Sequence, residues 1–171
     1  NVQQVMGEEA WDITTGESTV VIGLVDDAVM VEHSDLADNM WVNAGEIAGN
    51  GIDDDGNGYI DDINGWDAAD DDNNPSPPTA SADDNTFSHG THCAGIASAV
   101  TDNSNGIAGM GFNTTIMGVK CTPDSQPGGA IPAAMEGVEY AVAAGADVIS
   151  MSWGGGPESA TDQAVFDAAH D

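Results

Sequence analysis

Two places in the sequence carry residue types whose spacing could do chemistry. Asp26 and Asp27 follow directly on the apolar run Thr19–Val25, and His89 opens a run of small and apolar residues. A carboxylate that orients an imidazole, and an imidazole that takes up a proton, are two of the three parts of a nucleophilic triad. Acidic residues after strands and histidines at helix starts also serve structure, so the pattern alone leaves both roles open.

The second place is Asp53-Asp54-Asp55-Gly56-Asn57-Gly58-Tyr59-Ile60-Asp61-Asp62-Ile63-Asn64. Asp53, Asp55 and Asn57 fall at the first, third and fifth positions of an EF-hand-like loop. Gly58 takes the sharp turn, Tyr59 offers a carbonyl, and Asp61 holds the ninth position. The twelfth is Asn64 rather than a bidentate Glu, and Asp62 is its candidate replacement. Hard, closely spaced oxygen donors suit Ca²⁺ rather than Zn²⁺. The competing reading is a solvated Asp/Asn/Gly turn; repulsion among so many carboxylates favours the cation. Asp67, Asp70, Asp71 and Asp72 read as a solvated acidic loop.

These groups need elements to hold them. Glu8–Trp11 reads as a short helical turn. Thr19–Val25 is apolar and β-branched, as a buried strand should be. Glu32–Asn85 is rich in Asp, Asn, Gly, Ser and Pro, without periodicity. So long a loop in a compact domain is expected to be functional or metal-held. A helix is expected over His89–Val100, a strand over Thr115–Cys121 and a helix over Ile131–Ala144. Pro132 sits near the start of that helix and Gly145 just beyond its end, with Met135, Val138 and Val142 forming its buried face. Asp147–Ser152 reads as another strand and Ala160–Ala169 as another helix. Strands alternating with helices predict an α/β fold: a parallel sheet, right-handed crossovers, helices on both faces. We expect one domain, 1–171, incomplete at its C-terminus because its last helix leads to no strand. In such sheets, sites lie beyond the carboxyl ends of the strands, where Asp26 and Asp27 stand.

Composition narrows the partners. Of 171 residues, 30 are acidic and one, Lys120, is basic, for a formal net charge of -29. Nucleic acid and anionic membrane surfaces are excluded, since both need basic neutralisation. A secreted protein in salty or calcium-rich water fits, as do bound metal ions that cancel part of the charge. No apolar run is long enough to span a membrane. Asn1-Val2-Gln3-Gln4 lacks the basic start of a signal peptide, so in a secreted protein the numbering begins after processing. Cys93 and Cys121 allow at most one disulfide, and their apolar surroundings favour buried free thiols.

Local sequence adds a resemblance. Ile22-Gly23-Leu24-Val25-Asp26 with His33-Ser34-Asp35-Leu36, His89-Gly90-Thr91-His92-Cys93-Ala94-Gly95, and Val148-Ile149-Ser150-Met151-Ser152-Trp153-Gly154-Gly155 resemble three successive regions of the subtilisin-like serine proteases. The triad of that family runs along the chain in the order Asp, His, Ser, and this sequence begins that order. The resemblance implies that Asp26 orients His89 and that His89 is the general base. It implies that Ser152, Trp153 and Gly154 line a cleft for an extended peptide, with Gly129 on the opposite rim. It implies a second calcium site from Asp35, Asn103 and the carbonyls of Thr101, Asn105 and Ile107. The nucleophilic serine and the oxyanion Asn belong to a later segment. The expected function is thus a secreted, calcium-stabilised serine endopeptidase acting on polypeptides, needing the C-terminal half of the same domain and inactive without it. The alternative is an inactive subtilisin-like domain kept for binding or scaffolding. One departure bears on that choice: the family's small residue and Gly after the aspartate are replaced by Asp27 and Ala28.

Overall fold

The computed structural model describes residues 2–78, 86–126, 130–155 and 159–170. After a 3-10 turn at Val2–Val5, the elements are α1 (Gly7–Trp11), β1 (Val21–Asp26), β2 (Gly65–Asp67), α2 (His89–Ser98), β3 (Thr115–Lys120), α3 (Ala134–Ala143), β4 (Val148–Ser150) and α4 (Ala160–His170). The four strands form one parallel sheet in the order β2-β3-β1-β4.

β1 and β3 are central, and alternation along them feeds two cores. Val21 and Val25 of β1 join Met117 and Val119 of β3 on one face, against Val138, Tyr140 and Ala141 of α3. Leu24 and Ile116 look to the other face, where Ala94 of α2, Leu36 and Met40 cover them. With helices on both faces, these strands are apolar on both sides, which is why their sequences read as continuous runs. Fully burying a side chain such as Leu24 or Ile116 contributes about 2 kcal/mol.

Three details differ from the sequence expectation. The segment 32–85 contains a strand: β2 pairs with β3, its Gly65, Trp66 and Asp67 facing Gly118, Val119 and Lys120. Three residues are too few to show a period. Gly65 is required there, since a Cβ would overlap the Gly118 carbonyl oxygen. Second, α3 starts at Ala134 rather than Ile131. Ala133 instead donates its N–H to the Cys121 carbonyl at 3.3 Å, holding the Ile131-Pro132 segment to the end of β3. Third, the buried face of α3 is Ala134, Gly137, Val138, Tyr140 and Ala141, while Val142 is 41% exposed. Small residues let α3 approach the sheet: a Cβ on Gly137 would overlap Cys121 Sγ. Val142 instead lines the groove toward α4 with Val165. Both cysteines are free, Cys121 buried and Cys93 half-buried.

No helix among the described residues is long and apolar enough to cross a membrane.

Candidate active site and cation-binding loops

Asp26 is the last residue of β1 and His89 the first of α2, so the sheet and one covering helix present them to each other. Asp26 Oδ1 lies 2.7 Å from His89 Nδ1. The Asp26 side chain is buried, whereas that of His89 is 55% exposed. An ionised Asp26 accepts the Nδ1–H, which leaves the lone pair on Nε2. Burial pushes the Asp26 carboxyl above its ordinary range; the bonds from His89 and from the Asp27 N–H oppose this, and the Asp27 charge reinforces it. The hydrogen bond to Asp26 raises the His89 imidazole, desolvation opposes it, and the charges of Asp26 and Asp27 add to the rise. Asp26 Oδ2 is buried without a hydrogen-bond partner among the described residues.

Cys93 stands one helical turn after His89, its Sγ 3.9 Å from both ring nitrogens. Burial raises its thiol, opposed by a hydrogen bond with Ser152, two residues beyond β4. The Trp153 indole N–H donates to the Val25 carbonyl at 2.7 Å. Trp153 is thus half-buried against the core and fixed beside the end of β1, while Ser152 and Gly154 are exposed. Of the expected cleft residues, Ser152, Trp153 and Gly154 lie at the same end of the sheet as Asp26; Gly129 lies outside the described residues.

In the acidic loop, backbone N–H groups turn toward the carboxylates. Asp53 accepts the N–H groups of Gly56, Asn57 and Gly58. Asp61 accepts those of Asn50 and Gly51. These carboxylates therefore serve backbone turns. Asp55 and Asp62 instead meet Glu46, with one oxygen of each within 4.8 Å of the others. Glu46, outside the expected pattern, reaches the loop by accepting the N–H groups of Asp54, Asp55 and Asp61. Only the fold brings it there. Asn57 donates to Asp62 at 3.1 Å, and Asn43 bridges Asp55 and Asp62. Tyr59 anchors the loop by edge contacts with Tyr140 and Trp66. Burial raises the Asp62 carboxyl, opposed by bonds from Asn43, Tyr140 and Asn57.

At the second expected site, Asp35 gathers the loop that follows α2. Asp35 is buried and accepts Asn103 Nδ2 and the Ile107 N–H, both at 2.8 Å. Its own carbonyl accepts the Val100 N–H, and Asn103 Oδ1 accepts the Asn105 N–H. Thr101 donates its hydroxyl to the Ala99 carbonyl. The loop 101–107 is thereby folded around one carboxylate.

The stretch 67–72 is not simply solvated. Asp67 is buried and pairs with Lys120, whose ammonium also meets Asp124 at 2.8 Å and Asp70 at 3.4 Å. Burial pushes Asp67 up, yet the same contacts hold Lys120 up against its own desolvation. With three carboxylates around one ammonium, the ionised pair is the stable form. Nothing local in the sequence marks its lone base as the centre of this cluster.

The sequence model of the subtilase family matches residues 17–171. Thermitase from Thermoactinomyces vulgaris is 38% identical over 153 residues, covering 90% of this chain and 43% of thermitase. The halolysin-like extracellular serine protease Nep of Natrialba magadii is 35% identical over 152 residues, covering 89% of this chain and 24% of Nep. Among solved structures, the Aeromonas sobria serine protease, in complex with a chaperone, aligns at TM-score 0.59 and 23% identity. That match covers 91% of this chain and 22% of that one, and it bears on the fold. The chain spans less than half the length of these relatives.

Proposed function

The chain belongs to the subtilase family, and from that membership we propose that residues 1–171 form the N-terminal portion of a single serine-endopeptidase domain. In this reading Asp26 holds the His89 imidazole through Nδ1, and Nε2 takes the proton of a serine hydroxyl supplied by the C-terminal half of the domain. His89 then returns that proton to the leaving amine of a polypeptide substrate. The substrate lies as an added strand along Ser152-Trp153-Gly154, with Gly129 on the facing rim. Without the serine this segment alone is inactive. The 2.7 Å contact between Asp26 and His89 is the observation that supports the reading most directly. The extracellular setting named for Nep, together with the acidic composition, supports secretion.

Ca²⁺ stabilises the long loop. The chemistry fits: Glu46, Asp55 and Asp62 bring three hard oxygen donors together, and the chain's single basic side chain is engaged elsewhere, with Asp67, Asp70 and Asp124. Asp53, Asn57, Asp61 and the Tyr59 carbonyl belong to the turns that shape this site. Asp35, Asn103 and the carbonyls of Thr101, Asn105 and Ile107 form the second. A bound cation there neutralises carboxylates that otherwise repel one another.

Labelling the intact protein with a serine-directed fluorophosphonate tests the enzyme reading. Covalent labelling that Asp26→Asn and His89→Ala greatly slow supports it. No labelling of the folded, calcium-loaded protein defeats it and favours a binding scaffold.

A further inference from the structure

Asp27 has no part in the proton transfer assigned to Asp26 and His89, yet it is buried and bonded through both oxygens. Its Oδ1 accepts the N–H groups of Ala28 and Gly90, each at 2.7 Å. Its Oδ2 accepts the N–H of His89 at 3.2 Å. His89 and Gly90 open α2, so their amides are among the donors that a helix leaves without internal partners. Asp27 therefore caps α2 from another element, and its negative charge suits the helix N-terminus. The approach is tight enough to require glycine: a Cβ on Gly90 would overlap the Ala28 carbonyl oxygen and lie 2.8 Å from Asp26 Cβ.

Two successive aspartates thus grip one residue, Asp26 by the ring of His89 and Asp27 by its backbone. The Asp27 N–H also donates to Asp26 Oδ1 at 2.7 Å, the oxygen that holds the ring. Resting on the reading of Asp26 and His89 as the acid-base pair, we infer that Asp27 is a positioning residue, which clamps the first turn of α2 to the end of β1 and so fixes the His89 imidazole against Asp26. A small side chain at this position could not reach the two helix amides. The replacement of the family's small residue by Asp27 thereby gains a function. The Asp27 charge also helps hold the His89 imidazole above its ordinary value. The groups that face this ring are Asp26 at the end of β1, Asp27 just after it and Cys93 from α2, with Ser152, beyond the end of β4, hydrogen-bonded to Cys93.

Two variants of the intact protein separate the clamp from the charge. Asp27→Asn keeps an oxygen for the Ala28 and Gly90 amides but removes the charge; Asp27→Ala removes both. Titration of the His89 ring, followed by NMR of histidine-labelled protein and assigned with His89→Gln, reads the site without needing turnover. We expect Asp27→Asn to lower the His89 midpoint by about half a pH unit or more. Asp27→Ala should lower it too and lose the downfield signal of the Nδ1–H bonded to Asp26. In kinetics, the acid limb of kcat/KM should follow the His89 midpoint in Asp27→Asn. Asp27→Ala should lower kcat by roughly tenfold or more with KM little changed. A wild-type downfield proton in a folded Asp27→Ala protein overturns the inference. If Asp27→Ala does not fold, Asp27→Ser, whose side chain is too short to reach the helix amides, decides by the same proton. The expected loss of that proton in Asp27→Ala without any hydrolysis by the wild type would sustain the clamp and defeat the protease reading instead.

Discussion

The Tyr140 hydroxyl donates to Asp62 Oδ2 at 2.9 Å, joining α3 to the acidic loop across 78 residues of sequence. Both groups are fully buried. Burial raises the phenol far above its ordinary value, with the Asp62 charge adding to the shift, so the hydroxyl stays a donor. Tyr140→Phe keeps the ring contacts with Tyr59 and Trp66 but leaves a buried carboxylate one donor short. We expect a loss of about 1–3 kcal/mol in chemical denaturation. No loss of stability would mean that Asp62 is satisfied by its other partners alone.

Chelation should act on the same loop from the other side. A cation bound only by the folded state stabilises it by about 2.7 kcal/mol at a hundredfold excess over Kd. Treatment with EDTA should lower Tm and make 32–85 the first region cut by an added protease. Restoring Ca²⁺ should reverse both. A melting curve unmoved by chelator would remove calcium as the reason this segment is ordered.

The legible parts of the fold were those with a local signature. β1 and β3 are buried on both faces and read as apolar runs, while Gly145 ends α3 at a φ of +83°, as a helix-terminating glycine does. Asp26 and His89 stood out because each follows or opens such an element. What remained hidden is set by distance in sequence. Glu46 reaches Asp55 and Asp62 through backbone bonds that no spacing rule contains. β2 is defined only by its partner β3, and Asp27 is defined by amides more than sixty residues later. Nor does the spacing show that Asp53 and Asp61 also accept nearby backbone N–H groups and so shape the turns of the loop.

Lys120 should prove more costly to remove than any other charged side chain outside the candidate active site. Its ammonium is fully buried with Asp67, and Asp70 and Asp124 stand beside it. Lys120→Met leaves Asp67 buried without its partner, at a cost of about 3–5 kcal/mol. Adding Asp67→Asn to that variant should recover part of the loss, because no buried charge is then stranded. Denaturation of the two single variants and the double one measures the coupling. Full additivity would show that the pair is not the source of the cost.

Salt should stabilise the protein by a route separate from calcium. Six aspartates are buried among the described residues, namely Asp26, Asp27, Asp35, Asp61, Asp62 and Asp67, but the formal net charge is -29 and most of it must be borne elsewhere. Repulsion between exposed carboxylates acts over about 10 Å at 0.1 M salt and about 3 Å at 1 M. Raising NaCl through that range at saturating Ca²⁺ should therefore raise Tm steadily, with KCl equivalent, because screening depends on ionic strength rather than on a site. The calcium must be saturating so that its own binding, which salt weakens, does not mask the trend. A Tm that stays flat under those conditions would assign the destabilising repulsion to the acidic loops rather than to the surface as a whole.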